Sequence, residues 1–170
     1  MADRWRLPGF ARVRRAELTE GTLEGEAVAV MKPLTYMNRS GQALARYLVD
    51  PAFVPARDLL ILVDDYAIPL GTFRLRAHGS DGGHNGLTSI QGAIRSIEYP
   101  RLRIGVGPVP EDVDDRADWL LEPFADDELR QLGERLPLMT DAVDHWRAHG
   151  IEAAMNRFNQ QGKTTTGDSA

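Results

Sequence analysis

The sequence contains no cysteine. That excludes a disulfide framework and any zinc site built on thiolates. It also has no apolar run approaching the roughly 20 consecutive residues that a bilayer-spanning helix needs. The opening "MADRWRLPGFARVRR" has no hydrophobic core and carries an acid, so no export signal is expected and a cytoplasmic protein is the economical expectation. A phosphate loop of the GxxxxGKT kind is missing as well. The "GKT" at Gly162–Thr164 has Arg157 where the first glycine should stand, and no helix is expected after it. Neither an internal repeat nor a linker interrupts the 170 residues, a length that suits one domain with a real core.

Of the residues present, 42% are hydrophobic and 26% charged, the balance of a globular chain. The net charge of -5 is unevenly spread: residues 1–110 hold 14 Lys/Arg against 11 Asp/Glu, and residues 111–170 hold 6 against 14. The acid-rich "EDVDDRADWLLEPFADDE" argues against indiscriminate nucleic-acid binding through that end. Basic residues gather instead at Arg12, Arg14 and Arg15, at Arg74 and Arg76, and at Arg101 and Arg103. A polyanion partner is therefore expected on one face only.

Hydrophobic periodicity sets the organisation. "ARVRRAEL" suits a strand, and "EAVAVMKP" a buried strand stopped by Pro33. "SGQALARYLVD" spaces Ala43, Leu44, Tyr47 and Leu48 at helical intervals behind Ser40 as a cap. "DLLILVDD" has the continuous apolar character of an interior strand. In "TFRLRAH", Phe73 and Leu75 alternate with Arg74 and Arg76, giving one buried and one cationic face. "GLTSIQGAIRSI" suits a helix and "RLRIGVG" another strand. Helical stretches are predicted near 114–121, 126–148 and 150–159. Residues 1–160 are expected to form a single α/β domain and 161–170 a disordered tail.

Several residues stand where chemistry is expected. Asp64 and Asp65 close an interior-type strand, whose carboxyl end is where α/β proteins bind ligands. Asp64 suits a metal ligand, a base or a histidine orienter, and either acid alternatively caps the next turn. In "GGHNG", His84 and Asn85 combine flexible glycines with a helix start; the plainer alternative is that Asn85 caps the helix. Met37 and Asn38 lie between a strand and a helix. Taken alone, that segment is better read as a buried methionine and a capping amide, although the amide also suits holding a carbonyl. His145 and His149, four apart, read as surface residues near a helix end, with no third metal ligand in view.

In their order, "KPLTYMNRSGQAL", "LLILVDDYAIPLG", "RLRAHGSDGGHNGLTSI" and "PRLRIGVG", followed by "ADWLLEPF" and "AAMNRFN", resemble bacterial peptidyl-tRNA hydrolase over roughly residues 3 to 160. The resemblance implies a three-layer α/β/α sandwich with a mixed, largely parallel sheet. It implies a monomer without metal or cofactor that hydrolyses the ester between peptide and tRNA, with the acceptor end of peptidyl-tRNA as partner and no membrane. By position, Asp64 matches the acid that supports the catalytic histidine, and Tyr36 an aromatic at the tRNA end. Met37, Asn38, His84 and Asn85 match the crevice lining, with His84 binding or polarising the substrate. Arg74, Arg76 and Arg103 match basic positions at the acceptor phosphates. Ala67 stands where the family often has a second acid.

The family opens with a strand followed by "GNPG" and "TRHN", whose histidine is the general base, and this sequence has neither motif. The first strand of the family fold is therefore expected to lie outside it, which would leave neighbouring ladder groups open. Three alternatives follow: a hydrolase whose gene extends upstream of Met1, a non-catalytic tRNA-binding homologue, or a degenerate product that does not fold stably.

Overall fold

Tight turns divide the first third of the chain into a three-stranded meander. The computed structural model describes residues 1–160. Strands β1 (Ala11–Val13), β2 (Ala16–Leu23) and β3 (Glu26–Pro33) form an antiparallel sheet in the order β1-β2-β3. "ARVRRAEL" is thus two strands rather than one: Arg14 and Arg15 make the turn, and Val13 pairs with Ala16. Glu24 and Gly25 have φ of 53° and 88°, the two positive values a type I′ hairpin turn requires. β3 corrects the expectation of a buried strand. It is an outer strand, and none of its 8 residues is buried. The central strand β2 carries the burial through Ala16, Leu18 and Thr19, and the Thr19 hydroxyl donates to the Pro8 carbonyl at 2.7 Å.

The described residues cluster into two compact units. The first comprises Met1–Pro55 and Gly79–Ile97; the second runs from Ala56 to His78 and resumes at Glu98. Besides the meander, the first unit holds a 3₁₀ helix (Met37–Leu44), α1 (Ala45–Leu48) and, later in the chain, α3 (Asn85–Ile94). The expected Ser40 cap does not form. Helical geometry already begins at Met37, and the Ser40 hydroxyl donates back to the Met37 carbonyl at 2.8 Å. Glu20 on β2 ties down α1 by accepting from Tyr47 Oη at 3.0 Å and pairing with Arg46 at 3.3 Å. Partial burial, and then that carboxylate, push the Tyr47 hydroxyl pKa up to about 12.

The short α2 (Pro55–Asp58) leads into the second sheet, made of β4 (Ile61–Pro69), β5 (Phe73–Arg76) and β6 (Arg101–Gly107) in the order β4-β6-β5. β4 and β6 run parallel, while β5 and β6 run antiparallel, so the expected α/β class with a mixed sheet holds. Among the described residues β4–β6 is the one parallel pairing. Strand β4 is not interior: it is an edge, with Val63 buried but Leu62 51% exposed. β5 keeps the predicted alternation, with Phe73 and Leu75 buried and Arg74 and Arg76 exposed.

Helices α4 (Arg116–Trp119) and α5 (Asp126–Phe158) complete this unit. Asp115 caps α4 by accepting from the Ala117 and Asp118 amides. Asp126, Asp127 and Glu128 oppose the positive end of the α5 dipole, and Glu128 accepts from the Ala125 amide at 2.8 Å. Gly150 breaks α5 at φ 81°, ψ 174°, which agrees with the two helical stretches read from the sequence. Burial of Met139, Ala142 and Val143 before the break, and of Ala154 and Phe158 after it, anchors both pieces.

His145 and His149 meet one turn apart beside that break, with ring centroids at 4.4 Å, and Phe158 meets the His145 ring edge-on. Desolvation first, then the charges of His149 and Arg157, lowers the His145 pKa from its ordinary value. The unfolded chain therefore binds more protons than the folded one in the range just below the usual histidine pKa. Stability rises with pH through that range and is lost as pH falls below about 6.5. His145→Gln should flatten this part of a melting-temperature profile taken between pH 7.5 and 5.5. An unchanged profile would exclude His145 as its source.

Candidate functional site

In the first unit, the glycine-rich loop is built to present the start of α3. Gly82 and Gly83 adopt φ of 62° and 82°, which side-chain-bearing residues rarely tolerate. Asp81 braces the loop: its carboxylate accepts from the Gly83 amide at 3.0 Å and from the Thr88 hydroxyl at 2.9 Å. The N-cap of α3 is His84, not Asn85. His84 Nδ1 accepts from the Gly86 and Leu87 amides at 3.0 and 3.3 Å, and Asn85 is already the first helical residue. An imidazole nitrogen that accepts two amides carries no proton, so the ring proton sits on Nε2.

Met37 joins this corner through an absence. A Cβ at Gly86 would stand 2.7 Å from Met37 Sδ and 2.8 Å from His84 Cε1, so a side chain there would push the sulfur or the imidazole away from the helix start. The expected burial of Met37 does not occur. Its side chain is 55% exposed, Tyr36 is 79% exposed, and Asn38 is exposed beside them. No side chain caps the 3₁₀ helix, so the capping role weighed for Asn38 is not filled.

The 3₁₀ helix is held against α3 by a second bare backbone. The Gly41 amide donates to Ser89 Oγ at 3.0 Å, and a Cβ on Gly41 would overlap the Ser89 carbonyl oxygen. Backbone on both sides leaves little room to yield. Gly41→Ala should cost about 1–3 kcal/mol, the usual range for overpacking. That is a fall of roughly 2–12 °C in melting temperature for a protein of this size. Ser89→Ala, which loses one hydrogen bond worth about 1 kcal/mol, is the comparison. Equal melting temperatures for the two variants would refute the steric account.

The second unit holds the acids and the arginines. Asp64 and Asp65 are successive strand residues and point to opposite faces of the sheet. Asp65 is engaged locally and caps no turn: Oδ1 accepts from the amide of Ala67, still within β4, at 3.0 Å, and Oδ2 lies 2.8 Å from Arg103 Nε. The latter contact is charge pairing rather than an aligned hydrogen bond. Asp64 is half-buried, in register with Ile104. Arg74 stands opposite Arg103 and Arg76 opposite Arg101. Arg101, one of the basic residues expected at the surface, is 1% exposed and lies 4.1 Å from the Tyr99 ring centroid. Alternation alone could not reveal this, because the same pattern exposes Arg74 and Arg76. Just past Asp65, a groove of about 440 Å³ is lined by Tyr66, Val109, Pro110, Glu111, Val113 and Arg116, and no motif had pointed to it.

Among the described residues, no group of three or more His, Cys, Asp or Glu stands together as a metal site, and no helix is long and apolar enough to cross a membrane. The predicted residues thus fall into two sets: Tyr36, Met37, Asn38, His84 and Asn85 in the first unit, and Asp64, Arg74, Arg76 and Arg103 in the second.

The family model described as peptidyl-tRNA hydrolase matches residues 1–166. A peptidyl-tRNA hydrolase of Gemmatimonas aurantiaca is 41% identical over 162 residues, covering 94% of this chain and 85% of that protein. One of Chloroflexus aggregans is 43% identical over 163 residues, covering 94% and 84%. The crystal structure of peptidyl-tRNA hydrolase from Acinetobacter baumannii superposes with a TM-score of 0.82 at 28% identity, covering 93% of this chain and 80% of that one.

Proposed function

Because the chain belongs to the peptidyl-tRNA hydrolase family, we propose that it catalyses the hydrolysis of the ester between a peptide and the 3′ end of tRNA. Water adds to the ester carbonyl carbon, the carbonyl oxygen becomes an oxyanion, and the ester C–O bond breaks. The peptide leaves as a carboxylic acid and the tRNA oxygen takes a proton. Family membership and relatives at about 40% identity carry the hydrolase assignment. The non-catalytic alternative is not favoured.

The observation that carries the residue roles is the His84 cap. With Nδ1 occupied by two backbone amides, the ring can only offer Nε2–H. This supports His84 as a donor that polarises the carbonyl and stabilises the oxyanion, and speaks against it as the base. Asn38 and Asn85 supply further amides for the acceptor end, and exposed Tyr36 and Met37 an apolar surface for the terminal nucleoside or peptide. Asp64 matches the acid that supports the general-base histidine in the family. None of the four histidines of this sequence is assigned that base role, since His84 is a cap, His145 and His149 face each other, and exposed His78 lies outside both sets of site residues. Arg74 and Arg76 meet acceptor phosphates, with Arg103 contributing less because Asp65 neutralises it. The protein acts as a cytoplasmic monomer without a cofactor.

The test is direct. N-acetylated aminoacyl-tRNA is incubated with the purified chain, and the surviving ester is followed by acid-precipitable label. Cleavage above the protein-free rate supports the assignment, and a rate indistinguishable from it in a folded protein overturns it.

A further inference from the structure

The free edge of β5 is closed by one side chain. β5 pairs with β6 on one side only, which leaves the Leu75 N–H and C=O facing outward from the sheet. Asn159, at the C-terminal end of α5, meets both: its Oδ1 accepts from the Leu75 amide at 2.8 Å and its Nδ2 donates to the Leu75 carbonyl at 3.2 Å. The carboxamide thus does what one residue of a neighbouring strand would do. Among side chains of this length, only asparagine offers a donor and an acceptor in that arrangement. Burial of Ala154 and Phe158 fixes the helical piece that carries it.

Leu75 lies between Arg74 and Arg76, whose side chains leave the opposite face of the strand and are exposed. Their α-carbons stand about 6.6–6.8 Å apart along the strand. Of the arginines on this face, Arg101 is buried against Tyr99 and Arg103 is paired with Asp65. Arg74 and Arg76 have no carboxylate partner among the described residues. They are the charges of β5 available to a polyanion, and the backbone between them is held by Asn159.

We infer that Asn159 is a positioning residue for tRNA binding: it clamps β5 so that Arg74 and Arg76 meet phosphates as a fixed pair. This rests on the proposed role of the two arginines. Without the clamp the strand edge frays, and two cations at fixed spacing become two independently mobile ones.

The experiment measures binding of deacylated tRNA by the full chain across a salt series, with amide exchange followed at Leu75. Asn159→Asp keeps the shape but loses the donor and sets a carboxylate against the Leu75 carbonyl. It should speed Leu75 exchange at least tenfold while other core amides stay protected. It should also weaken binding about five- to tenfold and reduce the slope of log K against log salt by about one to two, at roughly 0.7–0.9 per lost phosphate contact. Arg74→Ala/Arg76→Ala should reduce the slope similarly, and adding Asn159→Asp to that background should change binding less than twofold. If Asn159→Asp unfolds the chain, Asn159→Ala, which removes both bonds without the repulsion, is read in the same way. A faster Leu75 amide with an unchanged slope would show that the clamp serves only the strand edge, and would overturn the inference. An unchanged slope in the double arginine variant would instead remove the arginine role beneath it.

Discussion

The purified 170-residue chain is expected to hydrolyse peptidyl-tRNA about 10²–10⁴-fold more slowly, in kcat/KM, than a relative that carries the TRHN histidine, because that is the usual worth of a positioned general base. The expectation follows from what the four histidines are doing. His84 spends its basic nitrogen on two amides, His145 packs against His149 and Phe158, and exposed His78 lies outside both sets of site residues. Substrate binding should survive, since the arginines and the α3 corner do not depend on the base. The loss should therefore fall on kcat rather than KM. Parallel kinetics on the two proteins decide the matter. Rates within threefold of each other would mean that one of the four histidines, or a group outside them, is the base.

The second large effect concerns His84 itself. Asparagine is among the best N-cap residues, so His84→Asn should keep the start of α3 and remove only the Nε2–H donor. Its melting temperature should stay close to that of the parent. kcat should fall on the order of 10²-fold or more, the scale seen when one oxyanion donor is removed. His84→Ala loses the cap as well and should be less stable by about 1 kcal/mol, with a similar kinetic defect. If His84→Asn retained the parent rate, the residue would be a cap and nothing else. The pair of variants separates the two roles because each role uses a different nitrogen of one ring.

Local chemistry made part of this legible before the fold was known. The alternation in "TFRLRAH" predicted both faces of β5, and the separate helical stretches near 126–148 and 150–159 anticipated a break where the structure has one at Gly150. What failed depended on contacts between distant segments. Asn85 was the natural capping candidate by residue preference, yet the imidazole one position earlier reached the amides first. Apolar content alone could not distinguish the edge strands β3 and β4 from interior ones, since that depends on which neighbours pair with them. Met37 looked buried by type and is exposed, with its sulfur beside Gly86 at the start of α3. Arg101 looked like a surface charge, and Tyr99 covers it. Sequence reported periodicity faithfully and partnership poorly.

The contact between Leu75 and Asn159 joins residues 84 positions apart. During synthesis at about 5–20 residues per second, strand β5 is made roughly 4–17 s before the side chain that covers its edge. Through that interval the half-made protein presents an open ladder in a crowded cell, where such edges recruit other strands. The nascent chain is therefore most exposed to misassembly in the seconds before the last turn of α5 is made, and a ribosome that stalls within α5 prolongs that exposure.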